Sequence, residues 1–352
     1  MSTSPSPPAE DDGTRHWTEP GIYTVAPGVY RIPLPMPNDG LRAVNVYALT
    51  ERDGLVLIDS GWAVPEARER LSTALRGIGA ELGDVRQFLV THVHRDHYTM
   101  AVALRREFGG RIALGRLEEP SLTAAANPNR RTMETQARLL VRCGAGPLLA
   151  ELAREFGDVP RQQVGLWERP DEWLEPGPRT VLPGRKLEVV HTPGHTTGHV
   201  VFADEEAGLL FAGDHVLPHI TPSIGFEAVP PELPLRDFLD SLRLVRAMPD
   251  HRLLPAHGPV TPSVHRRVDE LLDHHDRRLG VVAETVAAGA NTAYAVAHLL
   301  RWTRRERELP ELDVFNRTLA VLETAAHLDL LAHQGRLTAT DRDGIRYYAP
   351  GT

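Results

Sequence analysis

Four strand-like runs in this chain each end in side chains that can bind metal, and any fold it adopts has to place those ends. The densest is Gln87-Phe-Leu-Val-Thr-His92-Val-His94-Arg-Asp96-His97, an apolar run that stops in three histidines and an aspartate within six residues. In extended chain alternate side chains share a face, so His92, His94 and Asp96 can converge. His97 faces the other way unless the backbone turns there, and one short loop can then supply two neighbouring sites. Later runs end in the same way, with His195 in HTPGHTTGH, Asp214 in LLFAGDH and His257 in LLPAHG. Flanking glycines permit close backbone approach. Imidazole nitrogen and carboxylate oxygen are the usual non-sulfur ligands of zinc. The chain has one cysteine, Cys143, which excludes a thiolate-rich zinc site and an intramolecular disulfide. A solvated loop histidine is the ordinary alternative at any single position, and the clustering argues against it for His92 to His97. His191, His199, His215 and His219 read as supports for ligands, as substrate-facing groups or as plain solvated residues.

The runs between these motifs set the architecture. From Gly21 to Gly61 the chain is strand-like, then Val64–Gly79 shows helical spacing, Val85–Val90 a buried strand, Met100–Gly109 a helix and Arg111–Gly115 a short strand. That order implies stacked sheets with helices outside, an α+β fold. Residues 117–175 turn helical and interrupt the strands, so they read as an insertion into a catalytic domain spanning 21–262. Its Leu139, Leu140, Leu148, Leu149 and Leu152 recur at helical spacing, and that face either lids the site or packs against the sandwich. Residues 1–20 read as a disordered tail. Residues 263–352 show three helical patterns and then two β-prone runs around Asp343-Gly344, a hairpin signal, which together suggest a small winged-helix-like domain.

With 352 residues, 41% hydrophobic and 24% charged, this is a globular composition. The net charge of −8 gives no general attraction for nucleic acid or anionic membrane. Lys186 is the one lysine among 39 basic residues, and the arginines are scattered. Between Ser263 and Thr352, 12 arginines face 13 acidic residues, so the tail lacks the basic face of a DNA-binding regulator. It reads instead as a part that packs on the catalytic domain or on a second subunit, which leaves a homodimer open. The most apolar stretch, Gly280–Leu300, is broken by Glu284 and Asn291, so no membrane span is expected. The N-terminal residues lack a basic start and an apolar run, which points to a cytoplasmic protein.

The set LIDSG, HVHRDH, TPGHTTGH, AGDH and PAHG resembles the metallo-β-lactamase fold hydrolases in order and interval, over about residues 21–262. The resemblance implies an αββα sandwich with two divalent metal ions at the sheet edges, zinc first, with iron or manganese as the other choices. It assigns His92, His94 and His195 to the first metal, Asp96, His97 and His257 to the second, and Asp214 to the bridge between them. It makes Asp96 and Asp59 the candidate catalytic carboxylates, Asp59 acting by orienting a ligand histidine or the site loop. The tail resembles the C-terminal extension of the LACTB2-like endoribonuclease subgroup, whose loop reads HWHRDH. This chain departs in Tyr98-Thr99-Met100, where many relatives carry Gly-Gly, and in its long insertion.

The implied chemistry is attack on a carbonyl by a metal-bridged hydroxide, with a thioester, ester or lactone as the small-molecule substrate. A single-strand endoribonuclease is the alternative, and a DNA-binding regulator a third reading. A cysteine-ligand β-lactamase is opposed by Asp214 at the cysteine position, and a flavodiiron oxidoreductase by His94 and the helical tail. Tyr98, His219 and Trp167 are the candidate substrate-binding residues.

Overall fold

Side-chain alternation along the strands separates three cores, and the computed structural model resolves how they stack. It describes residues 7–37, 39–51, 54–131, 133–156 and 164–351. Eight strands form the first sheet in chain order: β1 (Ala9–Glu10), β2 (Tyr23–Ala26), β3 (Val29–Pro35), β4 (Ala43–Glu51), β5 (Gly54–Ile58), β6 (Val85–Val90), β7 (Arg111–Gly115) and β8 (Glu172–Leu174). The second sheet runs β13-β12-β11-β10-β9, made from β9 (Gly177–Leu182), β10 (Arg185–His191), β11 (Val200–Asp204), β12 (Leu209–Gly213) and β13 (Arg252–Pro255).

Successive side chains of a strand point to opposite faces, so each strand feeds two cores. In β4 and β5, Tyr47, Leu49, Val56 and Ile58 face the second sheet, where Val200, Phe202, Leu209, Phe211 and Leu254 meet them. Val44, Val46, Ala48, Leu55 and Leu57 face outward, onto α1 (Pro65–Arg76) and α2 (Arg95–Phe108) through Leu71, Leu75, Val102 and Leu104. Val201, Ala203, Leu210, Ala212 and Leu253 form the outer face of the second sheet and are covered by α6 (Pro234–Ala247) and the helices that follow it. Each fully buried Leu, Ile or Phe contributes roughly 1.5–3 kcal/mol. The result is the expected αββα sandwich.

The sheet register also sets where the loops go. β5 and β6 are parallel, as are β12 and β13, and β10 runs in the same direction as β12 because each is antiparallel to β11. The carboxyl ends of these strands carry Asp59, His92, His195, Asp214 and His257.

The insertion forms α3 (Glu119–Ala126), α4 (Glu134–Arg142) and α5 (Gly146–Phe156) and returns to the first sheet as β8. The tail forms α7 (Val264–Ala287), α8 (Ala293–Leu299), α9 (Val314–His333) and the hairpin β14 (Leu337–Arg342) and β15 (Ile345–Pro350). Asp343 and Gly344 both have positive φ, the turn conformation that the Asp-Gly pair signals. Three departures from the sequence reading stand out. Ala9–Glu10 pairs with β2, and Asp11 holds the buried Arg31 at 2.6 Å, so a guanidinium that needs a counter-charge orders part of the stretch read as a disordered tail. Helix α2 begins inside the metal motif, at Arg95. Leu140, Leu148 and Leu152 of the insertion lie in one core with Leu328, Leu331 and Tyr348 of the tail, so this face is consumed by packing and does not form a lid. Part of the insertion, 157–163, lies outside the described residues. Among the described residues no helix is long and apolar enough to cross a membrane.

Candidate metal centre

After β6 the chain bends through Thr91 to His94, and His94 caps α2 at its N-terminus, with the amides of His97 and Tyr98 donating to its carbonyl at 3.1 and 3.0 Å. Asp96 and His97 therefore sit on the first turn of a helix instead of in extended chain, and the turn swings His97 round beside Asp96. Two donor groups result. In the first, Nε2 of His195 lies 3.2 Å from Nε2 of His92, 3.0 Å from Nδ1 of His94 and 3.4 Å from Oδ2 of Asp214. In the second, Oδ2 of Asp96 lies 3.4 Å from Nε2 of both His97 and His257. Oδ1 of Asp214 lies 3.3 Å from Nε2 of His257 and 3.6 Å from Nε2 of His97, so Asp214 faces each group with a different oxygen.

The outward ring atoms are anchored. Nε2 of His94 donates to the carbonyl of Phe226 at 3.0 Å, Nδ1 of His195 to Ser223 at 2.7 Å and Nδ1 of His257 to Ala43 at 2.8 Å. Nδ1 of His97 donates to Asp59 at 2.9 Å, and Nδ1 of His92 is paired with the Thr91 hydroxyl at 3.1 Å. Each ring is thereby fixed in tautomer and direction. With their protons outward, His94 and His195 present bare lone pairs 3.0 Å apart, a repulsive arrangement that a cation relieves. Nε2 of His97, Nε2 of His257 and Oδ1 of Asp214 are buried and hydrogen-bond to nothing described. Orphaned buried donors and acceptors facing one point fit a metal ion.

Electrostatics separate the two groups. Burial, then the neighbouring imidazoles, holds His92 well below its ordinary value and His94 down at about 3, and burial also lowers His195, so these three imidazoles are neutral and ready to ligate. Burial opposes charge on His97 and His257 too. The carboxylates Asp59, Asp96 and Asp214 nevertheless raise His97 well above its ordinary value, and Asp214 and Asp96 raise His257 to about 10. The second group thus takes up positive charge as protons when it lacks any other cation.

Asp59 closes β5 with a φ of +59°, accepts from the amide of Thr91 at 2.9 Å and holds His97. It stands behind that ring and does not face the donor cluster, so it is a positioning residue: it orients a candidate ligand histidine, as expected from the sequence, and the label of catalytic carboxylate does not apply to it. Tyr98 and Trp167 are corrected as well. Tyr98 is fully buried in the layer outside the first sheet, its hydroxyl donates to the Glu168 carbonyl at 2.6 Å, and its ring lies 6.5 Å from Trp167. One helical residue beyond His97 is a rotation of about 100°, which turns Tyr98 away from the centre. Trp167→Ala is expected to cost roughly 3 kcal/mol, the low end for a large aromatic, with no change in preference among acyl substrates; thermal unfolding and kcat/KM across chain lengths check this. His219 is exposed on the loop after β12. His199 accepts from the amide of Asp214 at 3.1 Å, and His191 is paired with the Thr197 carbonyl at 2.8 Å. Asn45 was missed by the sequence reading: it donates to Pro255 at 2.9 Å and Gly258 at 2.8 Å and pins the His257 loop to the first sheet. A lone Asn in a strand carries no signal of that role.

Comparison with known proteins agrees with this geometry. The family model described as metallo-beta-lactamase superfamily matches residues 39–257. The chain is 25% identical over 319 residues to the probable metallo-hydrolase YqjP of Bacillus subtilis, covering 88% of this chain and 93% of that one. It is 26% identical over 251 residues to an atrochrysone carboxyl ACP thioesterase of Aspergillus fumigatus, covering 71% of this chain but 46% of that protein, about half its length. A crystal structure of a metallo-beta-lactamase family protein from Thermus thermophilus superposes with a TM-score of 0.75 at 29% identity, covering 93% of this chain and all of that one. The sandwich, the donors at its strand ends and the match over both sheets lead to one conclusion: the chain belongs to the metallo-beta-lactamase superfamily of hydrolases.

Proposed function

We propose that the protein is a dinuclear metal-dependent hydrolase of carbonyl compounds, with thioesters as its first substrate class and esters and lactones next. The observation that carries this reading is Asp214 turning one oxygen to each of two buried donor groups. His92, His94, His195 and Asp214 would hold one divalent ion, and Asp96, His97, His257 and Asp214 the other, zinc first and iron or manganese after it. When bound, such ions would supply a water of lowered pKa and a Lewis acid for a carbonyl oxygen. The protein's own part is to keep all the donors aimed and the three imidazoles of the first group unprotonated. Burial works against ionised Asp96, but the charge of His97 and the contacts of His257 hold its carboxyl well below the usual range. Asp96 is therefore an ionised carboxylate, ready to ligate. Thioesters rank first because thioester hydrolysis is named for the Aspergillus relative. In this reading the tail is a structural, winged-helix-like domain and the protein acts in the cytoplasm on a small molecule.

Metal analysis combined with a hydrolysis screen over acyl-CoA, lactoylglutathione, lactone, β-lactam and short single-stranded RNA tests the proposal. Thioester turnover that needs about two metal equivalents supports it; RNA cleavage without acyl hydrolysis would place the chain with the LACTB2-like endoribonucleases. A loading experiment adds a pH test. The neutral first group takes its ion with little proton release. His97 and His257 must lose protons before the second ion binds, so its affinity rises with pH. Calorimetry in buffers of different ionisation enthalpy reads the released protons; equal release in both steps would contradict two distinct groups.

A further inference from the structure

Two buried glutamates that belong to no metal motif grip the segments carrying His94 and His195. Glu227 is 4% exposed. Its Oε1 accepts from the amide and hydroxyl of Thr197 at 2.8 and 2.9 Å, two residues beyond His195, and its Oε2 accepts from the hydroxyl of Ser121 at 2.8 Å. The neighbouring Phe226 carbonyl holds the His94 ring, and three residues earlier the Ser223 carbonyl holds the His195 ring. Glu118, fully buried, accepts from the hydroxyl of Thr196. The 223–228 segment is itself held by the insertion: Thr135 and Arg130 donate to the Ala228 carbonyl at 2.8 and 3.0 Å, and Gln136 to the Glu227 carbonyl at 3.5 Å.

We propose that Glu227 is a positioning residue that fixes His94 relative to His195, with Glu118 steadying the same loop, and that through Glu227 the helical insertion sets how tightly the first donor group takes its metal. A carboxylate suits the place because three donors converge on it. Alanine would leave the Thr197 amide and the Ser121 hydroxyl without that partner. Glutamine keeps the clamp: its carbonyl accepts from Thr197, and its amide donates to Ser121, whose oxygen keeps one lone pair beside the one that accepts from the Val229 amide at 3.3 Å. The insertion then reaches the centre by side-chain hydrogen bonds instead of by a lid, which explains how a segment whose apolar face is spent on the tail still bears on the site. Partners behind metal-binding histidines commonly alter metal affinity by about 10–100-fold.

This inference rests on reading His92, His94 and His195 as a metal site. The test is competition for Zn2+ between the full-length chain and a chromophoric chelator, with metal-free unfolding followed alongside. E227A is expected to bind the first equivalent about 10–100-fold more weakly, E227Q to recover most of that loss, and S121A to weaken it in the same direction by less. E227A that folds and binds as tightly as wild type overturns the proposal, and so does E227Q as impaired as E227A. If E227A does not fold, S121A decides the matter: unchanged Zn2+ affinity there breaks the link from the insertion to the centre. Wild-type chain that takes up no Zn2+ overturns the metal reading itself, an outcome distinct from tight wild-type binding matched by the variants.

Discussion

Asp214→Ala is expected to reduce metal uptake to one equivalent or fewer and to lower hydrolysis by more than the roughly 100-fold typical of removing a partner that only supports a ligand. The reason is geometric. Every other donor in the cluster serves one group, whereas the two oxygens of Asp214 lie 3.4 Å from His195 and 3.3 Å from His257. Asp214 is also the carboxylate that most favours charge on His257 once burial is overcome. Its loss leaves two imidazoles with one carboxylate fewer beside them, so the second group is weakened as a site for any cation. Asp214→Asn, which keeps the shape and one oxygen, should retain the ion bound by the three neutral histidines and lose the other. Metal content by elemental analysis and kcat/KM on a thioester check both variants. An Asp214→Ala protein that keeps two metal equivalents would show that the groups are held independently.

Gly198→Ala is expected to destabilise the protein by roughly 3 kcal/mol, the upper end of overpacking costs, and to lower metal content with it. A Cβ at Gly198 would stand 2.2 Å from the amide nitrogen of Glu118 and 2.5 Å from the carbonyl carbon of Leu117, both backbone atoms. A Cβ at Gly115, at the end of β7, would stand 2.1 Å from the Gly198 oxygen. The two glycines let the end of β7 pass directly against the loop that carries His195 and His199. Neither side can retreat without moving a histidine, since His199 supports the Asp214 amide. Gly280→Ala is the control: it lies within α7, a Cβ there meets nothing within 4 Å, and a gain of about 0.5–1 kcal/mol is expected from helix propensity. Thermal unfolding of the metal-free chains and their zinc content read both effects; a Gly198→Ala chain as stable as wild type would show that close approach does not demand glycine at that position.

The candidate ligands were legible because their signal is local. A strand that ends in His92, His94, Asp96 and His97, and three later runs that end in His195, Asp214 and His257, can be read residue by residue, and the sheet register brings those ends to one edge. Strand alternation was legible for the same reason: it assigns Tyr47 and Leu49 to one core and Val46 and Ala48 to another before any partner is known. The hairpin turn at Asp343-Gly344 followed from the positive φ that such a pair tolerates.

Contacts between residues far apart in sequence followed from none of these patterns. Helical spacing showed that the insertion has an apolar face, but not that the tail, far along the chain, would cover it. Tyr98 looked like a neighbour of the site because it follows His97; the start of α2 at Arg95 rotated it into the core. Asp59, Asn45 and Glu227 act across 38, 210 and 30 residues. A hydrogen bond over such a span depends on how the two sheets stack and register, a property of the whole chain that no window of residues contains. The amino-acid sequence by itself determined which side chains could bind metal and which face of each strand was apolar. The tertiary structure alone decided which of those side chains meet, what holds each in place and which surfaces were already occupied, because those depend on long-range packing.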